Sequence, residues 1–508
     1  MPRSHRVVMI VFAAALLSSC TAGVTSTQAE GTAPVVPPAV PVAPKGPKAT
    51  QSNDPVPLTV DRPRGSPGVI AAGGGDSPYN YGPTVLVDGG RYRMWWCSQL
   101  GEALPAGDDV LYAESPSLDG PFGAWDGAMA KPVLSGSVSG FDGMHACDPS
   151  VIRVGSTYYL YYTGASGDHA HGNAIGVATS TDGLVWQRAH NGAPIVGPAY
   201  DTIRDNTYGA GQPSVLHLDG WFYLMFTDTT GKAAGWNGAG QFVLRAKDPL
   251  FLSGVQALGD RGFATVAGTN APRARSVVDA FSADWMWVAA LDAFAIAHET
   301  ESGTTITFWN ADFTAQPYQQ VTMPGPWREG PGLARTAEGH APISVEDPCG
   351  RVPIDVVRAT VDGAAGAPTN LTHFGLDVTG VPGCPTKESG TAVLNGFAVP
   401  SPERTMDLVV GGKVVRLERR SVTDKLAKLV LDRRPAIVDS MPVAARIQAG
   451  AKAVRSPDGQ VGMVLDGGKL WLIGAAEVAE LNSSVVTAVT EAEWRSYERA
   501  GDLAALRR

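Results

Sequence analysis

The sequence predicts an all-β protein: a five-bladed β-propeller followed by a small C-terminal α+β repeat domain. Three observations predict it. An apolar strand, a glycine turn and an aromatic-rich strand recur roughly every sixty-five residues through the middle of the chain, a spacing that suits a four-stranded blade with long loops. A second, unrelated repeat occupies the C-terminal part. Finally, 60 glycines and 38 prolines among 508 residues, with a net charge of −9, describe a turn-rich and modestly acidic chain without the basic stripe that nucleic acid would require.

The N-terminus reads as an export signal. Arg3 and Arg6 precede an apolar run from Val7 to Leu17, too short to span a bilayer and closed by Leu17, Ser18, Ser19 and Cys20. Those last four residues resemble the lipobox of bacterial lipoproteins, which implies cleavage before Cys20, acylation of its thiol and anchoring on the outer face of the cell membrane. Residues 1–20 are thus the expected signal peptide. Residues 21–56 follow as a Pro/Ala-rich tether, because a stretch with proline at every second or third position from Val35 to Pro47 cannot bury a core. Besides Cys20 there are four cysteines, an even number for an oxidising compartment, and none has zinc-ligand spacing. Spacing leaves their pairing open; Cys97 with Cys147 and Cys349 with Cys384 is the pairing we expect.

The propeller is expected over residues 57–385. Three copies of its repeat superimpose: Gly82-Pro83-Thr84-Val85-Leu86 with Tyr92 to Trp96, Asp148-Pro149-Ser150-Val151-Ile152 with Tyr158 to Thr163, and Gln212-Pro213-Ser214-Val215-Leu216 with Trp221 to Thr227. Each reads as a β-hairpin opening a blade. Ile175 to Trp186 completes the second blade, with a turn at Thr181-Asp182-Gly183. A weaker fourth copy is Arg275-Ser276-Val277-Val278, with Trp285 to Ala290 as its second strand. The fifth starts at either Glu329-Gly330-Pro331 or His340-Ala341-Pro342 and continues through Val352 to Ala359. An immunoglobulin-like array is the competing architecture, but its repeats would be longer and lack this hairpin signature.

The second copy, with Asp148-Pro149-Ser150 and the Tyr158 to Thr163 strand, resembles glycoside hydrolase family 43. More broadly, about the central two-thirds of the chain resembles the five-bladed propeller hydrolases, among them arabinofuranosidases, xylosidases, levanases and fructosidases. The resemblance implies an active site where the inner strands converge at one end of the axis. It also implies an aspartate base in the first blade, an aspartate in the second that tunes the acid, and a glutamate acid in a later blade. Inverting chemistry needs one protonated and one ionised carboxyl, roughly 6.5–9.5 Å apart, so that a water fits behind the anomeric carbon. Asp148 matches the second-blade aspartate. Gly82 stands where the resemblance implies the base, and Gly211 and Gln212 stand where it implies the acid. The chain is therefore either an enzyme with relocated carboxylates or a noncatalytic carbohydrate-binding propeller.

Glu329 is the replacement acid, because Glu329-Gly330-Pro331 resembles the acid motif moved to the fifth blade. Buried, it would hold its proton while Asp148 stays ionised. His145, three residues before Asp148, is expected at the same mouth, where an imidazole binds sugar or exchanges protons near working pH. His340 belongs there only if the fifth blade begins at it. Asn80, Tyr81, Tyr208, Gln212, Arg273 and Arg275 precede or begin inner strands and are expected to line the funnel, aromatic faces stacking on sugars and polar groups bonding hydroxyls. Asp76, Asp142 and Asp205 are weaker candidates for the missing base. Trp95, Trp96, Tyr158 to Tyr162 and Trp221 to Tyr223, on second strands, are expected to pack between blades. Asp168, His169 and His171 have the types of a metal site but read as a polar loop, so no metal or other cofactor is expected; calcium occurs at the axis of some relatives, yet no acidic cluster demands it.

After Cys384 the chain becomes richer in Val, Arg, Lys and Glu, and residues 393–508 are expected to form the tandem-repeat domain. Val409-Val410-Gly411-Gly412-Lys413-Val414 corresponds to Val464-Leu465-Asp466-Gly467-Gly468-Lys469-Leu470, each a hairpin with an adjoining short helix. It is similar to short repeats at the ends of actinobacterial secreted proteins, which implies binding to a surface component; a structural cap is the alternative. The whole points to a surface glycosidase acting on a pentose- or furanose-containing oligo- or polysaccharide, such as arabinan, xylan or wall arabinogalactan.

Overall fold

The computed structural model describes residues 54–100, 107–168, 170–380 and 383–507. The expected signal peptide, Cys20 and nearly all of the expected tether lie outside the described residues, as does His169. The end of the expected tether is already part of the fold, since Val56 forms a parallel bridge with Tyr318. No helix among the described residues is long and apolar enough to cross a membrane.

A strand near the N-terminus, β1 (Thr59–Gly65), precedes five blades. The first is β2 (Asn80–Asp88), β3 (Arg91–Ser98), β4 (Asp109–Ser115) and β5 (Lys131–Leu134); the second is β6 (His145–Val154), β7 (Thr157–Ala165), β8 (Ala174–Ser180) and β9 (Gln187–Arg188). The third has five strands: β10 (Ala210–Leu218), β11 (Trp221–Asp228), β12 (Gln241–Ala246), β13 (Gln256–Gly259) and β14 (Gly262–Thr265). The fourth is β15 (Ala283–Val288), β16 (Ala293–Thr300), β17 (Gly303–Asn310) and β18 (Val321–Met323). In the fifth, β19 (Gly332–Arg335), β20 (Val352–Asp362) and β21 (Pro368–Thr379) accept β1 as the outermost strand, so the first strand closes the ring on the last blade. Closure satisfies an edge that would otherwise present unpaired backbone groups.

Neighbouring blades bury their apolar faces on one another. Trp95, Tyr112 and Leu160 fill the space between the first and second blades, Tyr161 and Phe226 that between the second and third, and Trp285, Phe294 and Phe313 that between the third and fourth. The second-strand aromatics Trp95, Trp96, Tyr158, Tyr161 and Tyr162 are thus core, each at most 5% exposed. Two disulfides, Cys97 to Cys147 and Cys349 to Cys384, staple the first blade to the second and the approach to β20 to the chain after β21.

The axis itself is plugged by Arg335, which is fully buried. Its guanidinium donates to Thr84 Oγ1 (3.1 Å) in the first blade, Val215 O (3.1 Å) in the third and Trp285 O (2.8 Å) in the fourth, lies 3.4 Å from Ser150 Oγ in the second, and pairs with Asp284 at 3.1 Å. One side chain of the fifth blade thereby bonds the inner strands of the other four. Burial pulls its pKa below the ordinary guanidinium range, and the Asp284 carboxylate opposes the change.

One blade assignment differs from expectation, and the start of the fifth blade, open between two positions, is resolved. The Trp285 stretch is the inner strand of the fourth blade, not its second strand. Its second strand is β16, and residues 275–278 belong to the loop before β15. The fifth inner strand follows Glu329-Gly330-Pro331, while His340 sits at the opposite end of the axis, bridged to Trp287 and bonded through Nε2 to His217 O (2.7 Å).

Beyond the ring, α1 (Lys387–Leu394), capped by Thr386 and Ser389, starts ahead of residue 393 and packs Val393 and Leu394 against the fourth and fifth blades. Each repeat is larger than the expected hairpin and helix. The first comprises β22 (Phe397–Pro400), β23 (Met406–Val410), β24 (Lys413–Leu417), α2 (Arg420–Leu426), β25 (Leu429–Val430) and β26 (Val443–Ile447). The second repeats the plan with β27 (Ala453–Arg455), β28 (Val461–Leu465), β29 (Lys469–Leu472), α3 (Ala476–Leu481), β30 (Val486–Ala488), α4 (Glu491–Ser496) and β31 (Arg499–Asp502). Their strand orders, β25-β22-β23-β24-β26 and β30-β27-β28-β29-β31, are equivalent, and Leu408, Val415, Met463 and Trp471 share one core.

Candidate active site

The proline of each repeat marks a β-bulge at the mouth of the axis. In β2, Gly82 and Pro83 together oppose Trp96; in β6, Asp148 and Pro149 oppose Tyr162; in β10, Gln212 and Pro213 oppose Phe226. Proline cannot donate to the ladder, so it is tolerated where pairing is already interrupted. The residue before it is left-handed each time, with φ of 55°, 47° and 49° at Gly82, Asp148 and Gln212, and 58° at Gly330. For Asp148 and Gln212, side chains where glycine would be relaxed, this backbone costs on the order of 1 kcal/mol each. The bulge aims them at the axis.

There they meet Glu329. The groups converge on a small axial cavity of about 40 Å³, lined by Gly82, Asp148, Gln212, Ser282, Glu329 and Gly330 among others. That space suits about three waters. Gln212 Nε2 donates to Glu329 Oε1 (2.9 Å), and Ser282 Oγ donates to Gln212 Oε1 (2.7 Å), so a chain of hydrogen bonds orients the carboxyl. Burial first, and the Asp148 charge second, push the Glu329 pKa to about 7. His145 lies behind Asp148, with Nε2 3.9 Å from Oδ2 and Nδ1 hydrogen-bonded to Asp108. Burial disfavours the charged ring, but the two carboxylates outweigh it and hold its pKa at about 9. Tyr81 and Tyr208 border the carboxylates. Burial, then Asp148 and Glu329, push both phenols well above their ordinary range. The Tyr208 hydroxyl is enclosed beside Gly211 and makes no well-formed hydrogen bond.

His145, Tyr81, Tyr208, Gln212, Asp148 and Glu329 are thus brought together, whereas other expected lining residues are not. Asn80 is 3% exposed and is used up by packing: its Oδ1 accepts from Trp96 Nε1 (2.8 Å) and Gly73 N (3.1 Å). Arg275 lies over the Trp309 ring and donates to Phe313 O (2.5 Å), away from the axis, because the fourth inner strand starts later than the repeat suggests. Arg273 is buried in an ion pair with Asp228 (2.9 Å). Asp142 accepts from Tyr162 and Arg188 in a buried pair, while Asp76 and Asp205 are exposed on loops. Asp168 and His171 bond each other on the surface at 2.8 Å. Among the described residues, one group of metal-ligand types clusters, Cys97, Asp108 and Cys147, and its sulfurs are joined in a disulfide.

Ser282 and Asp108 were not singled out in the sequence. Ser282 becomes visible when the repeats are aligned on the short polar residue two places on, Thr84, Ser150, Ser214 and Asp284, rather than on proline. Asp108 has no comparable signal, since it reaches His145 from a loop 37 residues earlier.

No room is evident for a base in the first blade. A Cβ on Gly82 would lie 3.3 Å from Asp148 Oδ1, and one on Gly330 would lie 2.8 Å from Gly82 Cα. These glycines let the first and fifth inner strands approach.

Fold and site together define a five-bladed propeller with paired carboxyls at its axial mouth. No known protein-family profile matches the chain. An uncharacterized protein of Mycobacterium tuberculosis, found in two strains, is 33% identical over 111 residues, which are 21% of this chain. The match spans about a third (33%) of the length of that relative. Among solved structures the chain is similar to a family 117 glycoside hydrolase of Zobellia galactanivorans (12% identity, TM-score 0.40, covering 62% of this chain and 90% of that one). It is also similar to an α-L-arabinofuranosidase of Podospora anserina in complex with cellotriose (10%, TM-score 0.37, 64% and 98%) and to a family 43 enzyme of Xanthomonas citri complexed with xylose (12%, TM-score 0.38, 68% and 95%). At such identities and scores the likeness concerns the course of the chain and carries nothing about its chemistry.

Proposed function

We propose that the protein is a glycoside hydrolase in which Glu329 is the general acid and Asp148 its ionised partner. The observation behind this reading is the pair itself: two carboxyls at one axial mouth, one with its pKa raised to about 7 by burial and by the charge of the other. Separation of protonation states within a pair is what acid and base roles require. Glu329 would give its proton to the leaving glycosidic oxygen while Asp148 takes one from the attacking water, so that the C–O bond breaks as the new one forms. The sugar ring would stand above the cavity against Tyr81 and Tyr208, because the cavity has room only for the water and the reacting edge. The motif resemblance supports a pentose- or furanose-containing polysaccharide as substrate, and the lipobox supports anchoring through Cys20 on the cell surface.

A noncatalytic carbohydrate-binding propeller is the second reading, favoured by Gly82 at the position where the resemblance implies a base. Incubation with arabinans, xylans, fructans and wall arabinogalactan, followed by analysis of released sugars, separates the two. Release by the wild type but by neither Asp148→Asn nor Glu329→Gln supports the hydrolase. Saturable binding without release would establish the second reading.

A further inference from the structure

Asp108 immediately precedes β4 and lies beside β6. Its amide donates to Met144 O (3.2 Å), forming a parallel bridge beside His145, and its carboxylate accepts from both the Tyr79 hydroxyl and His145 Nδ1. On the other side of the ring, Nε2 faces Asp148 Oδ2 at 3.9 Å. The imidazole is 4% exposed, and the disulfide between Cys97 and Cys147 lies within 4.8 Å of the Asp108 carboxylate, fixing both strands.

A neutral imidazole carries one N–H and one lone pair, so a ring between two carboxylates would turn its lone pair on one of them. Only the doubly protonated ring suits both neighbours. We propose that Asp108 is a positioning residue that holds His145 as a fixed imidazolium against Asp148, building a cation into the axial site beside the pair that takes the acid and base roles. The last clause rests on the hydrolase reading; the state of His145 does not.

The groups facing His145 are Asp108 from the loop, Asp148 from its own strand and Glu329 from the segment before β19, with Tyr79, Tyr81 and Tyr208 bordering those carboxylates. Burial acts against the charge and the two aspartates override it, in agreement with the geometry.

The test is a proton–carbon NMR titration of the histidine Cε1–H groups in the full chain, with the His145 signal assigned among nine histidines by its loss in His145→Gln. Wild-type His145 should titrate near 9. Asp108→Asn should lower that midpoint by roughly one to three pH units, the effect expected of one adjacent opposite charge. Tyr79→Phe, which removes the other bond to Asp108 and leaves the charge, should move it less. A wild-type midpoint at the ordinary histidine value, or one that Asp108→Asn leaves in place, overturns the proposal. Absence of sugar release from every substrate would count against the hydrolase reading alone. Where release is measured, Asp108→Asn should change the pH profile of kcat with KM unaltered, and an equal loss at every pH overturns the positioning role.

Discussion

Replacing Glu329 with glutamine should make the protein more stable and catalytically silent at once. The Glu329 carboxyl is displaced from its ordinary pKa of 4.5 to about 7. Each pH unit of displacement corresponds to about 1.4 kcal/mol, so the native state forfeits at most about 3.5 kcal/mol by holding this group where it is. The sign follows from which state gives up its proton first. Below 4.5 the carboxyl is protonated in both folded and unfolded chains and costs nothing; between 4.5 and 7 the unfolded chain ionises first and native stability falls with rising pH; above 7 the full cost is present. Glutamine has the same shape, keeps an acceptor for Gln212 Nε2, and never ionises. Urea unfolding of wild type and Glu329→Gln should therefore agree at pH 4, and differ at pH 8 by up to about 3.5 kcal/mol in favour of the variant. A difference at pH 8 below about 1 kcal/mol, or one of equal size at both pH values, would refute the claim that this carboxyl is held neutral by its surroundings.

Three further outcomes follow from the same geometry. Arg335→Met should lower the unfolding free energy by roughly 3–5 kcal/mol, because it leaves the buried Asp284 without its cation and removes bonds to the inner strands; a loss within the range of an ordinary surface change in urea unfolding would contradict the axial plug. Gly82→Asp should destabilise rather than create a base, by about 1 kcal/mol for the left-handed backbone and more for its charge beside Asp148, and no gain in sugar release is expected. Removing the disulfide between Cys97 and Cys147 with a double serine variant should cost up to about 4 kcal/mol for a closed loop of this length, read as a lower thermal midpoint; an unchanged midpoint would show that the staple is dispensable.

The first three blades were legible because each inner strand carries proline next to a left-handed residue, a local mark of a bulge. The fourth was not, since Ser282-Ala283 forms no such bulge and its inner strand, Ala283–Val288, is as rich in tryptophan as the second strands elsewhere. That single shift of register also misplaced Arg275. Asn80 shows a different limit: a polar residue beside a site is as readily drawn into hydrogen bonds with its own blade, and sequence alone does not tell which way it turns. Asp148 and Glu329 were visible because their neighbours, proline and glycine-proline, are part of the strand entry. Asp108 depends on a long-range bridge to His145 that no local pattern encodes. In the C-terminal repeats the paired glycine turns revealed the duplication, whereas the parallel pairings of β24 with β26 and β29 with β31 join segments too far apart to be seen as one sheet.

The closing strand ties the order of synthesis to the order of assembly. β1 is among the first segments of the ring to be made, yet its partner in β21 follows some 320 residues later. Until then a nascent chain can stack four blades in sequence, each on its predecessor, but holds its earliest strand idle and one edge of the last blade open. Two such chains meeting at that stage have complementary ends, and β1 of one fits the open blade of the other as well as its own. Ring closure is thus a pairing of the two ends of the ring, and it is the step at which exchange of β1 with a second copy would compete with closure.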